Sequence, residues 1–192
     1  MKLLVTGGAG FIGSNLVDEL IRLGHKVLVV DNLSGGKREN INSKAKFYRA
    51  DVTNIKQIKP IFRGVDYVFH LAALPRVQFS IEHPLESDAV NVRGTLNVLV
   101  AAADAGVKRV IYSASSSAYG DQTKMPLTEG MTENPRSPYG LQKFQGAAIQ
   151  AFQKALEIDP KLPEVAYYLG FILSTQGRDE EALEFLLQAK SL

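Results

Sequence analysis

Short apolar runs alternate with segments of helical periodicity over the first 143 residues or so of the chain. Runs of this kind are typical of strands buried on both faces of a parallel sheet. They predict strands over residues 3–5, 27–30, 46–49, 67–71 and 110–112. Apolar residues at helical spacing predict a helix over 11–23, and a second helix is predicted over 91–105. This alternation predicts a doubly wound α/β fold around a parallel sheet.

From Ala147 onwards the pattern becomes helical and alanine-rich. Part of it recurs 34 positions later, pairing small and apolar residues: Ala148 with Ala182, Phe152 with Leu186 and Ala155 with Ala189. This period resembles the tetratricopeptide repeat, and it predicts helices over 147–158, 164–175 and 179–190. An ordinary helical hairpin is the alternative. The sequence therefore predicts two domains, residues 1–146 and an all-α repeat-like hairpin over 147–192.

Composition and charge exclude several classes of function. The chain has 192 residues and no cysteine, which excludes disulfides, thiolate metal sites and cysteine nucleophiles. A net charge of +2 gives no reason to expect nucleic-acid binding. No apolar run approaches the ~20 residues that cross a bilayer, and no secretory signal is recognisable, so a cytoplasmic protein without a membrane partner is expected. Of the three histidines, only His83 has a carboxylate, Glu86, at helical spacing. One such pair is weak evidence for a metal site, so none is predicted.

A glycine-rich turn follows the first predicted strand and opens the first predicted helix, with Gly7, Gly10 and Gly13 three residues apart. In a dinucleotide-binding turn the first glycine permits the tight bend, the second lets the backbone approach a pyrophosphate, and the third lets helix and strand pack closely. The phosphates would lie on N–H groups at the helix N-terminus. A glycine turn without a ligand is the alternative.

Asp31 ends the second predicted strand, 18 residues after Gly13. Its carboxylate is placed to accept hydrogen bonds from an adenosine ribose and would repel a 2′-phosphate, so NAD is predicted rather than NADP. Lys37 and Arg38 follow in the loop and could soften that preference.

Polar residues follow the fifth predicted strand, where ligands bind in sheets of this type. Further along, Tyr139 and Lys143 are four residues apart and share one face of a predicted helix over residues 138–158. The ammonium would favour the phenolate, so that Tyr139 could act as a base near neutral pH. Ser115 could hold a substrate hydroxyl in the same hydrogen-bond network.

Taken in order, these motifs resemble the extended branch of the short-chain dehydrogenase/reductase superfamily. The resemblance implies a Rossmann-like fold and a set of cofactor-binding residues: Gly7, Gly10, Phe11, Ile12, Gly13, Asp31, Asn32, Asp51, Val52, Leu71, Ala72, Ala73, Asn91, Ser113, Tyr139 and Lys143. It implies Ser115, Tyr139 and Lys143 as catalytic residues and Ser115 and Ser116 as substrate contacts. His70 would be structural in this light.

Within that branch the chain resembles the UDP-sugar 4-epimerases. Nucleotide-sugar dehydratases carry an Asp-Glu pair where Ser116 and Ser117 stand, so the carboxylates for eliminating water are absent. The resemblance implies an NAD-dependent isomerase that acts on UDP-glucose and UDP-galactose or their N-acetyl analogues. In this mechanism Tyr139 takes the proton of the sugar 4-hydroxyl during hydride transfer at C4 and later returns it.

The resemblance covers roughly residues 1–146 and stops inside the Tyr–Lys helix. Extended members of the superfamily continue with two more core strands and a substrate lobe, which leads us to expect a truncated sheet whose fifth strand forms an open edge. Self-association, or a protein partner, is expected through that edge or the helical tail. The alternative function is a catalytically inactive NAD-binding module with a helical protein-interaction tail; a pure interaction protein ranks last.

Overall fold

The structure, a computed structural model, describes residues 1–158, 174, 180, 182–184 and 186–187. By its contacts the chain divides into two compact units, Met1–Gly146 and Ala147–Leu192. The predicted repeat helices over 164–175 and 179–190 lie largely outside the described residues. The assignment of a cofactor-binding domain to residues 1–146 and of a repeat-like domain to 147–192 stays a prediction.

Five parallel strands form one sheet in the order β3-β2-β1-β4-β5. The strands are β1 (Lys2–Thr6), β2 (Lys26–Asp31), β3 (Lys46–Arg49), β4 (Tyr67–His70) and β5 (Arg109–Tyr112). Each lies within one or two residues of its predicted position, so the predicted doubly wound fold is confirmed. Thr6 lies opposite Val30 on one side and His70 on the other. The strand order reverses between β1 and β4, and ligands of such sheets bind at that switch point.

Six α-helices are described: α1 (Phe11–Arg22), α2 (Ile55–Ile58), α3 (Val77–Glu82), α4 (Pro84–Asp88), α5 (Thr95–Asp104) and α6 (Pro138–Ile158). Short 3₁₀ turns cover Arg38–Asn40, Lys59–Phe62 and Ser116–Ala118. The prediction of a single helix over 91–105 is wrong at its start, because Ala89–Gly94 is π-helical and α5 begins at Thr95. Here the Thr95 hydroxyl donates to the Asn91 carbonyl, so a side chain enters the backbone ladder.

Both faces of the sheet are covered, which explains the continuous apolar runs. Alternate strand residues point to opposite faces. On β1, Leu4 joins the cluster that holds Phe62 and Val98, whereas Val5 joins the cluster that holds Val17. Each of these side chains is fully buried. The core therefore fixes the register of the strands, and with it the position of their carboxyl ends.

Helix α6 carries the predicted Tyr–Lys motif and contains two glycines, each facing another part of the first unit. A Cβ at Gly140 would lie 2.5 Å from the Ser117 carbonyl oxygen, and a Cβ at Gly146 would collide with the Tyr112 hydroxyl. These two glycines let α6 approach the end of β5 and the turn that follows it. Among the described helices, α6 included, none is long and apolar enough to cross a membrane.

Candidate active site

A cavity of about 460 Å³ opens at the carboxyl ends of the strands, on either side of the switch point. Most predicted cofactor-binding residues line it: Gly7, Gly10, Phe11, Ile12, Gly13, Asp31, Asn32, Val52, Leu71, Ala72, Ala73, Ser113, Tyr139 and Lys143. Asp51, Asn91, Ser115 and Ser116 do not line it. The fold therefore brings the glycine-rich turn, Asp31 and the Tyr–Lys pair to one cavity.

Two glycines of the turn allow backbone segments to touch. Gly7 has φ +73°, which favours glycine, and a Cβ there would lie 2.7 Å from the Ala72 nitrogen. A Cβ at Gly13 would collide with the Gly7 carbonyl oxygen. At Gly10, by contrast, the Gly7 oxygen is the only nearby atom, at 3.3 Å. Backbone atoms therefore fill the space beside Gly7 and Gly13, whereas the space beside Gly10 is largely open.

The peptide groups of Ala9 are fully engaged by the protein itself. The Ala9 N–H donates to the Asp31 carboxylate at 3.0 Å. Its carbonyl accepts from the Lys37 N–H at 3.1 Å and from the Asn40 side chain at 2.9 Å. A ligand must therefore use the first turn of α1, where Phe11 is 84% exposed and Ile12 is 65% exposed. N–H groups in the first turn of a helix lack intrahelical acceptors and attract anions.

Asp31 is held rigidly at the end of β2. One carboxylate oxygen accepts from Ala9, and the other accepts from the Leu33 N–H at 2.8 Å. Leu33 has φ +64°, an uncommon conformation for a residue with a side chain. The carboxylate is only 9% exposed, and its residue lines the cavity. Its remaining lone pairs are available to hydroxyl groups of a ligand.

The side chains of Asn32 and Asp51 form a hydrogen bond near the end of the cavity that contains Asp31. The Asn32 amide donates to Asp51 at 2.8 Å, and its oxygen accepts from the Ser34 N–H. Burial by itself would raise the pKa of the Asp51 carboxyl, but hydrogen bonds from Thr53 and Asn32 outweigh it and lower the pKa. Asp51 therefore holds the loop after β2 against the loop after β3. A direct contact from its carboxylate to a ligand stays a prediction.

Buried side chains from other segments fix the first turn of α6. The Tyr139 N–H donates to the Ser80 hydroxyl at 3.0 Å, and that hydroxyl donates to the Val77 carbonyl. The Gln142 side-chain oxygen accepts from Ser87 at 2.7 Å and from Asn91 at 2.9 Å. Because Gln142 lies between Tyr139 and Lys143, these bonds set the position of both.

Asn91 joins the loop after β4 to α6. Its side-chain oxygen accepts from the Leu74 N–H at 2.8 Å, and its amide donates to the Leu74 carbonyl and to Gln142. The side chain is 1% exposed. Leu74 lines the cavity and Asn91 does not, so Asn91 shapes the cavity wall through Leu74.

Lys143 is the buried cation of the site. It is 4% exposed, and burial lowers the pKa of its ammonium to about 8. The group is therefore mostly protonated at neutral pH and loses its charge as the pH rises through 8. None of the ion pairs in the described part of the chain involves Lys143.

The Ser115 hydroxyl is engaged within its own turn, and its predicted catalytic and substrate-binding roles stay predictions. Its hydroxyl accepts from the Ser117 N–H at 3.2 Å and caps the 3₁₀ turn Ser116–Ala118. Ser113 and Ala114 line the cavity, whereas Ser115 and Ser116 do not. The structure thus joins Tyr139 and Lys143 at the cavity wall without the predicted serine.

Both ring nitrogens of His70 are used inside the protein. Nδ1 lies 2.7 Å from the Thr6 hydroxyl and Nε2 lies 3.0 Å from the Thr95 hydroxyl. The Thr95 hydroxyl already donates to Asn91, so Nε2 carries the proton and Nδ1 accepts from Thr6. Burial, reinforced by the charge of Lys143, lowers the pKa of His70 to about 3. In the described residues no group of three or more possible ligands could hold a metal ion.

Sequence reasoning missed Ser80, Ser87 and Gln142. Only a weak signal in the sequence pointed to Gln142. It is a polar residue between Tyr139 and Lys143, and it lies on the same buried face of α6. Nothing in the sequence connects it to Ser87, 55 residues away. Only the fold reveals that the pair meets.

Sequence profiles of two families match the chain. The profile of the NAD dependent epimerase/dehydratase family matches residues 3–160, and that of the tetratricopeptide repeat matches residues 142–191. The second match confirms the resemblance read from the 34-residue period, and the first confirms the resemblance read from the ordered motifs.

Individual relatives agree with the family match. The UDP-glucose 4-epimerase of Lactobacillus helveticus is 42% identical over 154 residues, covering 79% of this chain and 47% of the relative. A solved UDP-glucose 4-epimerase of Thermotoga maritima with UDP-glucose has 38% identity and a TM-score of 0.73, covering 92% of this chain and 52% of that one. The enzyme of Thermus thermophilus in complex with NAD has 37% identity and a TM-score of 0.72, covering 82% and 50%. The chain spans about half the length of the curated relatives it matches.

Proposed function

Because the chain belongs to the NAD dependent epimerase/dehydratase family, we propose that its cavity binds NAD and serves epimerisation of a nucleotide sugar at C4. One observation carries the proposal. Tyr139 and Lys143 line the same cavity as the glycine-rich turn and Asp31. A dinucleotide held between those two ends would have its reactive part beside a tyrosine and a buried ammonium.

The residues of the cavity fit NAD along its length. The N–H groups of Phe11 and Ile12 would hold the pyrophosphate. Asp31 would accept from the adenosine ribose and would repel a 2′-phosphate, which favours NAD over NADP. Apolar side chains of Val30 and Val52 line the cavity near this end and suit an adenine ring. Lys143 would bond the nicotinamide ribose, and bound NAD supplies a reversible hydride acceptor.

The protein's own contribution to the chemistry is proton transfer by Tyr139. Its phenolic oxygen would remove the proton of the sugar 4-hydroxyl and return it at the end of the cycle. The Lys143 ammonium would hold the ribose and keep the cofactor beside Tyr139. Since the pKa of Lys143 is about 8, we expect activity to fall as the pH rises above 8. UDP-glucose, UDP-galactose and their N-acetyl analogues are the proposed substrates.

Turnover tests the proposal. Purified protein is incubated with NAD and UDP-glucose, and UDP-galactose is followed by its anomeric proton signals in NMR. We expect product from the wild type and a loss of at least about 100-fold in Tyr139→Phe. Tyr48→Phe, on β3 and outside the cavity lining, is the matched control and should keep its rate. Equal rates in the wild type and Tyr139→Phe would refute the assigned base.

A second candidate is an NAD-binding module without catalysis. The observation that favours it is the position of Ser115, whose hydroxyl caps a 3₁₀ turn and does not line the cavity. This candidate expects NAD to bind and UDP-glucose to remain unconverted. A folded sample that binds no NAD would remove both candidates.

We further propose that the chain associates with itself or with a protein partner, and that it is cytoplasmic. β5 lies at the end of the strand order, and its Ile111 is 40% exposed. Edge strands pair readily with other chains. Light scattering coupled to size-exclusion chromatography should give a mass above that of one chain, and a mass of one chain at all concentrations would contradict self-association.

A further inference from the structure

Tyr112, the last residue of β5, lies against the ammonium of Lys143. The Lys143 nitrogen is 4.3 Å from the centroid of the Tyr112 ring. A cation over an aromatic face at this distance is attracted to the ring, and more strongly where water is excluded. Tyr112 does not line the cavity, whereas Lys143 does. The ring therefore supports the lysine from the side away from the cavity.

Gly146 makes room for this ring. A Cβ at position 146 would collide with the Tyr112 hydroxyl and would lie 2.7 Å from the ring carbon that bears it. Glycine inside a helix is less favourable than alanine. At this position the missing side chain lets α6 pass directly against the ring, one turn after Lys143. The contact between Tyr112 and Lys143 depends on that close approach.

Few other titratable groups face the ammonium. His70 of β4 packs 5.7 Å from the Tyr112 ring, centroid to centroid, and its depressed pKa keeps it neutral. Tyr139 lies on α6 itself, one turn before Lys143. Burial raises the pKa of Tyr112 to about 12, so its ring is a neutral phenol. Within the described part of the chain no carboxylate pairs with Lys143, which leaves the ring as its electrostatic partner.

We propose that Tyr112 is a positioning residue for Lys143: the ring face holds the charged ammonium at the cavity wall, and Gly146 leaves the space that the ring needs. The consequence for cofactor binding rests on the proposed function. The contact itself exists in the protein without any ligand. The attraction favours the charged lysine, so it opposes the effect of burial. Removing the ring should therefore lower the pKa of Lys143 further.

The test compares Tyr112→Phe with Tyr112→Leu in protein without NAD. Phenylalanine keeps the ring face, whereas leucine removes it. The pKa of Lys143 is measured by NMR in protein with ¹³C-labelled lysine, and its signal is assigned from the spectrum of Lys143→Arg. We expect the pKa of Lys143 in Tyr112→Phe to equal that in the wild type, and the pKa in Tyr112→Leu to be about one unit lower. Equal titration of the two variants, or a higher value in Tyr112→Leu, would overturn the proposal.

Gly146→Ala provides a second route if Tyr112→Leu does not fold. The added methyl group must displace the ring, so Lys143 should again titrate below its wild-type value. An unchanged value in folded Gly146→Ala would count against the proposal. Ile111→Leu, on the same strand and half exposed, is the control and should titrate with the wild type.

Titration with NAD separates this proposal from the proposed function. At pH 7.5 the dissociation constant should be unchanged in Tyr112→Phe and about five- to tenfold higher in Tyr112→Leu. If the wild type binds no NAD, the proposed function fails, and the order of the lysine pKa values still decides the role of Tyr112. If NAD binds equally to both variants, the ring does not position the lysine for the cofactor.

Discussion

The two ends of the cavity are built in different ways. At the glycine-rich turn, the hydrogen bonds of Gly7 to Gly13 join residues at most 31 apart, the longest running from Ala9 to Asn40, although the Gly7 backbone also packs against Ala72. At α6, Tyr139 and Gln142 are held by side chains 51 to 59 residues away. The first end is a local motif, and the second exists only in the folded chain.

The largest effect is expected at the turn. Gly13→Ala places a methyl group on the Gly7 carbonyl oxygen, and neither backbone segment can move without displacing α1 from β1. We expect a loss of about 4 kcal/mol in the free energy of unfolding, measured by urea denaturation, and loss of NAD binding. Gly130→Ala meets open space without a positive φ and should behave as the wild type. A stable Gly13→Ala protein that binds NAD would show that the turn is not closed.

A smaller effect is expected from the network at α6. Gln142→Leu leaves the Ser87 hydroxyl and the Asn91 amide without their shared acceptor, and buried donors without acceptors cost about 1–3 kcal/mol each. We expect a loss of about 3 kcal/mol in unfolding free energy. About half of that loss should disappear when Ser87→Ala is already present, because one of the two donors is then gone. Additive losses in the double variant would mean that the three side chains act independently.

The pH dependence of stability provides a third test, through His70, which bonds to Thr6 of β1 and Thr95 of α5. Its pKa is about 3 in the folded protein against 6.5 for an ordinary histidine, so the unfolded chain binds the proton first as the pH falls. Stability is full above about pH 6.5 and declines towards pH 3. Between pH 7 and pH 5 we expect this residue alone to remove about 2 kcal/mol. Urea denaturation of His70→Gln should show that much less pH dependence than the wild type. Parallel curves for His70→Gln and the wild type would contradict the burial argument.

The smallest effect is expected behind the adenosine end. Asn32→Ala breaks one hydrogen bond to Asp51 in a partly buried place, so the loss should be about 1 kcal/mol. In an Asp51→Ala background the same substitution should cost less, because only the exposed hydrogen bond from the Ser34 N–H to Asn32 is then lost. A large loss in either variant would mean that this end also depends on a cooperative network.

These contrasts explain what the sequence could and could not predict. The five strands followed from apolar runs because both faces of the sheet are buried. The turn and Asp31 followed from spacing because the hydrogen bonds that shape them join residues at most 31 apart. The π-helical start of the helix at Asn91 has no periodic signature, and the position of Ser115 depends on a 3₁₀ turn of three residues. The partners of Tyr139 and Gln142 lie 51 to 59 residues away in the chain, so no pattern within α6 reveals them.

Direct binding experiments decide whether the cavity holds NAD. Isothermal titration of NAD and of NADP into the wild type and Asp31→Ala would be measured near pH 7.5, with circular dichroism as the check on folding. We expect saturable binding of one NAD per chain, binding of NADP that is at least about tenfold weaker, and weakened NAD binding in Asp31→Ala. A folded wild type that binds no NAD, or that binds NADP equally well, would contradict this expectation.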